Sequence, residues 1–272
     1  EMGIEVIGEV ELAYRLSMGK VLAITGTNGK TTTTTLLGEI CQNAGKHTFV
    51  VGNIGAPYAA IAAQTRPDDV IVCELSSFQL ESIAKFHPMV SAILNITEDH
   101  MNRHKTMERY IELKARVFEN QKDGDSVVLN YDDPVLRALA SRAMCRVVWF
   151  SRTQVPPFGA FVREGTLYFG APDSARPICS VDEVNIPGPH NLENALAAAA
   201  CAVQAGIPIA VIRHTLRTFK GVEHRIETVC TRRGVTYIND SKATNPDSTV
   251  KAVETMNRPT VLLLGGSEKH SD

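Results

Sequence analysis

The segment VLAIT-GTNGKTT-TTTLL, residues 21–37, joins a short apolar strand to a helix through a glycine-flanked turn. This unit restricts the fold more than any other feature. A short, mostly apolar strand running into Gly-x-x-Gly-Lys-Thr and then a helix is built to bring backbone N–H groups and a helix N-terminus onto an anion. Gly26 and Gly29 let the turn close, Lys30 neutralises phosphate charge, the Thr31 hydroxyl suits Mg²⁺, and Thr32 reaches another phosphate. The longer form of this loop has a Gly where Ile24 stands. A plain strand–helix turn with an exposed Lys is the alternative. Thr33–Thr35 read as packing against the sheet.

Further strands are expected at 47–51, 70–74, 90–95, 126–130 and 146–150. Helices are expected at 30–44, 57–64, 106–121 and 134–142. This alternation predicts an α/β fold with a mostly parallel sheet flanked by helices. Residues 160–169 alternate around Glu164-Gly165 and read as a small antiparallel hairpin. An Ala-rich helix follows His190, and a second runs from about 208 to 219. After a hinge at Lys220-Gly221, strands are expected at 226–230, 235–239 and 260–264, with a helix at 247–256.

The formal net charge of −2 gives no global basic field, so nucleic acid is not an expected partner. The six cysteines contain no Cys-x-x-Cys pair and read as reduced residues, most of them in apolar segments. No apolar run reaches the roughly 18 residues of a membrane span. No signal peptide is visible, and the first residue is Glu rather than Met.

Ligands of open parallel sheets gather at the carboxyl ends of the strands. Strand 70–74 ends in Glu74, which is either a Mg²⁺ ligand beside the loop or a solvated strand end. Strand 90–95 leads to His100 and His104, whose spacing alone is weak evidence for zinc. In the following helix, Lys114 falls within the apolar stripe of Met107, Tyr110, Ile111, Val117 and Phe118. It is either a snorkelling lysine or a functional one. Asn191 reads as a helix cap. Asn130-Tyr131-Asp132-Asp133 resembles a guanine-reading Asn-Lys-x-Asp but lacks the Lys.

Gly26-Thr-Asn-Gly-Lys-Thr-Thr, Glu74-Leu-Ser-Ser-Phe-Gln-Leu, Asn95-Ile-Thr-Glu-Asp-His-Met and Gly188-Pro-His-Asn-Leu-Glu-Asn-Ala occur in that order. Together they resemble the Mur ligases, ATP-dependent amide-forming enzymes of peptidoglycan synthesis. Gly52-Asn-Ile-Gly, Asp240-Ser-Lys-Ala-Thr-Asn and Leu262-Leu-Leu-Gly-Gly resemble the D-glutamate-adding branch of that family. The resemblance implies a P-loop central domain at 18–221, preceded by the tail of a UDP-binding domain at 1–17. A partial Rossmann-like, amino-acid-binding domain follows at 222–272, so the chain is expected to be a piece of a three-domain enzyme.

It further implies ATP, two Mg²⁺ ions and a carbamylated Lys114, with Thr31, Glu74, His100 and Lys114 as metal ligands. Lys30, Glu74, His100, Lys114 and Arg225 are the implied catalytic residues. Gly26, Thr27, Asn28, Gly29, Lys30, Thr31, Thr32, Asn191, Asn194, Arg225, Asp240 and Lys242 are the implied nucleotide contacts. Asn53, Ser76, Thr244 and Lys269 are the implied substrate contacts. The implied substrates are UDP-N-acetylmuramoyl-L-alanine and D-glutamate, joined through an acyl phosphate by a bacterial cytoplasmic monomer. A folylpolyglutamate-type or other Mur-type amide ligase is the nearer alternative. A nucleotide-binding module without ligase activity is the more distant one.

Overall fold

The computed structural model describes residues 5–266. In chain order the elements are α1 (Glu9–Leu16), β1 (Lys20–Thr25), α2 (Lys30–Asn43), β2 (Thr48–Gly52), β3 (Val70–Glu74), α3 (Ser77–Leu80), β4 (Val90–Ile93), α4 (Met101–His104) and α5 (Met107–Ala115). They continue as β5 (Ser126–Asn130), α6 (Pro134–Leu139), β6 (Arg146–Ser151), β7 (Gly159–Arg163), β8 (Thr166–Gly170), β9 (Arg176–Ser180), α7 (Pro189–Gln204), α8 (Ile209–Thr218), β10 (Glu227–Arg232), β11 (Val235–Asn239) and α9 (Pro246–Glu254).

Nine strands form one sheet in the order β2-β3-β1-β4-β5-β6-β7-β8-β9. The strands from β2 to β7 pair in parallel, and β8 and β9 close the far edge antiparallel. The inner strands β1, β3, β4 and β5 are Val- and Ile-rich because both faces are covered. Leu22 and Ile24 of β1 face one core with α2, α7 and α8. Val21 and Ala23 face the other, with α1, α5 and α6. Ala195–Ala200 and Cys201 of α7 are wholly buried. Their small side chains let this helix lie close to the sheet beside α2.

Helix ends follow local chemistry. Asp133 accepts the N–H groups of Val135 and Leu136 ahead of Pro134, starting α6. Thr106 caps α5 through the N–H of Arg109, and Ser76 with Gln79 forms a capping box on α3. Near the N-terminus, the segment expected to be the tail of a preceding domain carries α1. Its buried Glu11 carboxylate accepts the backbone N–H groups of Ala84, Lys85 and Phe86 and the Nε–H of Arg15.

Several expectations are corrected. The hairpin around Glu164-Gly165 forms as expected, β7 with β8, and because β7 also pairs in parallel with β6 it extends the main sheet. Strand β9 adds an element that the sequence pattern does not announce. The helix expected at 57–64 consists of two 3-10 turns, Tyr58–Ala60 and Ala62–Gln64. Residues 260–264 are apolar but form no strand, since no described strand pairs with them, and Val261 and Leu263 are exposed. Strands β10 and β11 form an isolated antiparallel pair. Helix α7 begins at Pro189 after Gly188, and Asn191 does not cap it: its Nδ2 donates to the Pro187 carbonyl. Cys230 is exposed and Cys145 half-buried, while the other four cysteines are buried; all six are free.

Candidate active site

The parallel register aligns the carboxyl ends of β3, β1 and β4, with Ile24 opposite Glu74 and Thr25 opposite Ile93. The loop 26–29 therefore emerges between Glu74 on one side and Leu94-Asn95 on the other. Gly26 and Gly29 both have positive φ, at 147° and 86°. A Cβ on Gly29 would lie 2.2 Å from Asn194 Oδ1, so a side chain is excluded by contact as well as by conformation. Gly29 is the residue that enters α2, and the free N–H groups of the first turn open onto the loop.

Neighbouring side chains hold the loop rigidly. Asn95 Oδ1 accepts the Asn28 N–H at 2.9 Å, and Asn95 Nδ2 donates to the Asn28 carbonyl at 3.1 Å. Thr27 is buried, accepting the Thr97 N–H, donating to the Thr97 carbonyl and meeting the Tyr110 hydroxyl at 3.2 Å. Thr27 is therefore a strut of the loop rather than an open contact. Neither Asn95 nor Tyr110 stands out from the sequence as a site residue. For Asn95 the available signal is its position after an apolar strand, at the head of one of the motifs.

Two lysines converge on the loop. Lys30 Nζ donates to the carbonyls of Gly26 and Thr27 at 2.9 and 2.8 Å. From α5, Lys114 Nζ donates to the same Gly26 carbonyl at 2.8 Å and lies 4.6 Å from the centre of the Tyr110 ring. Lys114 is 1% exposed, which overturns the snorkelling alternative. Burial, with the Lys30 charge close by, drives its amine well below the ordinary lysine value against the pull of Asp99. Burial also lowers Lys30, opposed by Glu74 and Asp99.

Glu74 is buried at the tip of β3. Its carboxylate accepts the Thr31 hydroxyl and the Asn53 Nδ2–H, each at 2.9 Å. Thr31, Glu74 and Asn53 are thus brought together. His100 is not part of this cluster. It is exposed, lies 3.6 Å from Asp99, and has the rings of Phe78 and His104 as neighbours. His104 is buried, bonded to the Ser77 hydroxyl and stacked on Phe78 and Tyr110, so the pair does not form a zinc site. Among the described residues, no cluster of three or more His, Cys, Asp or Glu side chains is placed to hold a metal. Ser76 is engaged in its capping box with Gln79.

An open cleft lies on the α7 side of the loop. Asn28, Gly29, Thr32, Asn191 and Asn194 line one wall, and Arg225 and Asp240 come from the opposite side. Asn194 Oδ1 accepts the Thr33 hydroxyl at 3.3 Å and its Nδ2 donates to Asn191 Oδ1 at 3.2 Å, so Thr33 orients the asparagine pair. Burial raises the Asp240 carboxyl, opposed by the Ile226 N–H and by Arg225. Lys242 and Thr244 are exposed and do not line this cleft; the Lys242 N–H bonds the His224 carbonyl. Lys269 lies outside the described residues.

A strand–loop–helix of this form, at the centre of a mostly parallel sheet, defines a P-loop α/β protein. Residues 24–202 match the Mur ligase middle domain, and the chain belongs to the Mur ligase family. It is 53% identical over all 272 residues to UDP-N-acetylmuramoylalanine–D-glutamate ligase of Caldanaerobacter subterraneus subsp. tengcongensis, covering 60% of that protein. It is 54% identical over 270 residues to the enzyme of the same name from Alkaliphilus oremlandii, covering 99% of this chain and 60% of that one. The chain therefore spans about three-fifths of these relatives. MurF from Acinetobacter baumannii has the same fold, with a TM-score of 0.72 at 20% identity over 91% of this chain and 56% of that one. MurF ligase from Thermotoga maritima in complex with ADP gives 0.69 at 22% identity over 91% and 60%. Among the described residues no helix is long and apolar enough to cross a membrane.

Proposed function

We propose that this chain carries the ATP site of an enzyme that joins D-glutamate to UDP-N-acetylmuramoyl-L-alanine. The observation that carries the reading is the meeting of Lys30, Lys114 and the Thr31–Glu74 pair around one glycine loop. The choice of substrates rests on the activity named for relatives 53–54% identical to the chain.

The residues fit the nucleotide and its metal. The left-handed Gly29 opens the first turn of α2 toward phosphate, and Lys30 supplies a cation at its edge. Thr31 and Glu74 provide a hydroxyl and a carboxylate in contact, the hard oxygen donors Mg²⁺ takes alongside phosphate and water. Bound there, Mg²⁺ supplies charge neutralisation for the transferring phosphoryl group. Carbamylation of Lys114 and a second ion with His100 belong to the same proposal. Burial shifts the Lys114 amine toward its neutral form, the form that would add to CO₂ with loss of one proton.

The substrate carboxylate attacks the γ-phosphorus of ATP, giving an acyl phosphate and ADP. The amine of D-glutamate then attacks the acyl carbon, and phosphate leaves. Lys30 and the α2 N-terminus hold the phosphates in line, and Asn53, bonded to Glu74, marks the side from which the carboxylate enters. Asn191, Asn194 and Asp240 hold the nucleoside, and Arg225 faces the phosphates across the cleft. Thr244 and Lys269 receive D-glutamate, with Lys242 near the ribose. The enzyme acts as a monomer in the bacterial cytoplasm, in three domains of which residues 18–221 are the middle one.

The test is phosphate release by the full-length protein with UDP-N-acetylmuramoyl-L-alanine and a panel of amino acids. D-glutamate alone is expected to stimulate it. Equal stimulation by L-glutamate with a pteroate acceptor would sink the reading.

A further inference from the structure

A direct side-chain hydrogen bond joins the phosphate loop to the segment beyond Gly221: Asn245 Nδ2 donates to Asn28 Oδ1 at 3.1 Å. Asn245 is also the N-cap of α9. Its Oδ1 accepts the Ser248 N–H at 2.8 Å. A helix N-terminus offers only donors, so the cap requires the amide oxygen and turns the amide nitrogen outward, toward Asn28. The orientation of this side chain is therefore set by helix chemistry.

Both ends of the link are firm. Asn28 is held through its backbone by both amide atoms of Asn95. Helix α9 abuts the start of α7, where a Cβ on Gly188 would lie 2.7 Å from Thr255 Oγ1. From this position α9 brings Ser248 and Lys251 to the wall of the cleft that Asn28, Gly29 and Asn194 line from the other side. One face of α9, beginning at its cap, thus completes the cleft.

We propose that Asn245 is a positioning residue for nucleotide binding. Through Asn28 it registers α9, with Ser248 and Lys251, against the phosphate loop, so that a bound nucleoside triphosphate is enclosed by both segments. The proposal rests on reading the loop as the ATP site. It adds a contact made by the residue after Thr244, which the family resemblance leaves without a role.

Asn245→Ser separates the two roles of this residue. Serine caps a helix about as well as asparagine but is too short to reach Asn28. The melting temperature should stay close to that of the parent chain. Affinity for the non-hydrolysable analogue AMP-PNP with Mg²⁺ should fall about 5- to 10-fold, the range of one lost hydrogen bond. In the full-length protein KM for ATP should rise by the same factor with kcat little changed. Asn28→Ser and the double variant test the link directly: the double should lose no more affinity than the worse single. Multiplying losses, or unchanged affinity in Asn245→Ser, overturns the proposal. If Asn245→Ser does not fold, hydrogen exchange of residues 246–254 in Asn28→Ser decides. Nucleotide should slow that exchange in the parent chain and much less in the variant; equal slowing overturns the proposal. Lys30→Ala is the control for the underlying reading. If Lys30→Ala binds as tightly as the parent, the ATP site itself is wrong. If Lys30→Ala fails to bind and Asn245→Ser binds normally, only the link is wrong.

Discussion

Lys114 Nζ and the Gly26 carbonyl oxygen are 2.8 Å apart, so a lysine from α5 closes the back of the phosphate loop from inside the core. An amine held there serves the loop as a donor, and as a carbamate it would offer a carboxylate to a metal. Lys114→Ala is expected to abolish ligation in the full-length protein. Bicarbonate or a short carboxylic acid should restore part of the rate, because either can occupy the vacated space as an anion. Full activity of the alanine variant, measured as phosphate release, would remove the carbamate from the proposal.

Gly29 faces Asn194 so closely that any side chain must displace it. Gly29→Ala combines a left-handed backbone, costing about 1–2 kcal/mol, with a collision at a buried, hydrogen-bonded asparagine. Nucleotide binding should be lost while the sheet persists, with a lower melting temperature. Calorimetric titration with AMP-PNP that shows parental affinity would contradict this.

The sequence made some of these positions legible and hid others for physical reasons. The glycine loop, the inner strands and Lys114 are readable because each rests on local pattern: apolar runs, turn residues, or a charge out of place in an apolar stripe. Asn95 and Asn245 do not stand out, since a single asparagine in a loop has no local signature and acquires its role only across 67 or 217 residues of chain. The apolar run 260–264 misleads because a strand needs a partner, and none of the described strands provides one. Residues 160–169 do alternate as a hairpin should, but alternation does not report which strand lies on the outer side of a hairpin.

Glu11 anchors α1 to the sheet through three backbone N–H groups and Arg15. Burial alone would raise its carboxyl, but these donors outweigh burial and hold it below the ordinary value of 4.5. A depressed carboxylate contributes stability above its unfolded-state pKa and loses it as pH falls through the folded one. Glu11→Gln should therefore cost about 2–3 kcal/mol at neutral pH. The gap from the parent should narrow as pH drops below 4.5. Denaturant melts at neutral pH and in that acid range test both parts. A gap that stays constant with pH would show that the carboxylate charge is not what anchors the helix.

Two adjacent threonines of α2 should respond in opposite ways. Thr33 and Thr34 are both fully buried, yet of the two only the Thr33 hydroxyl has a partner, Asn194 Oδ1 at 3.3 Å. Thr33→Val would leave Asn194 without one of its two side-chain bonds and free the asparagine pair to turn. Nucleotide affinity should then fall several-fold, the worth of about one hydrogen bond. At Thr34 a buried hydroxyl without a partner is replaced by a methyl of nearly the same shape. Thr34→Val should therefore raise stability by about 1 kcal/mol and leave nucleotide affinity unchanged. The pair is measured by melting temperature and AMP-PNP titration on both variants. If Thr34→Val weakens binding as much as Thr33→Val, the threonine run acts as a unit, and assigning the orienting role to Thr33 alone is wrong.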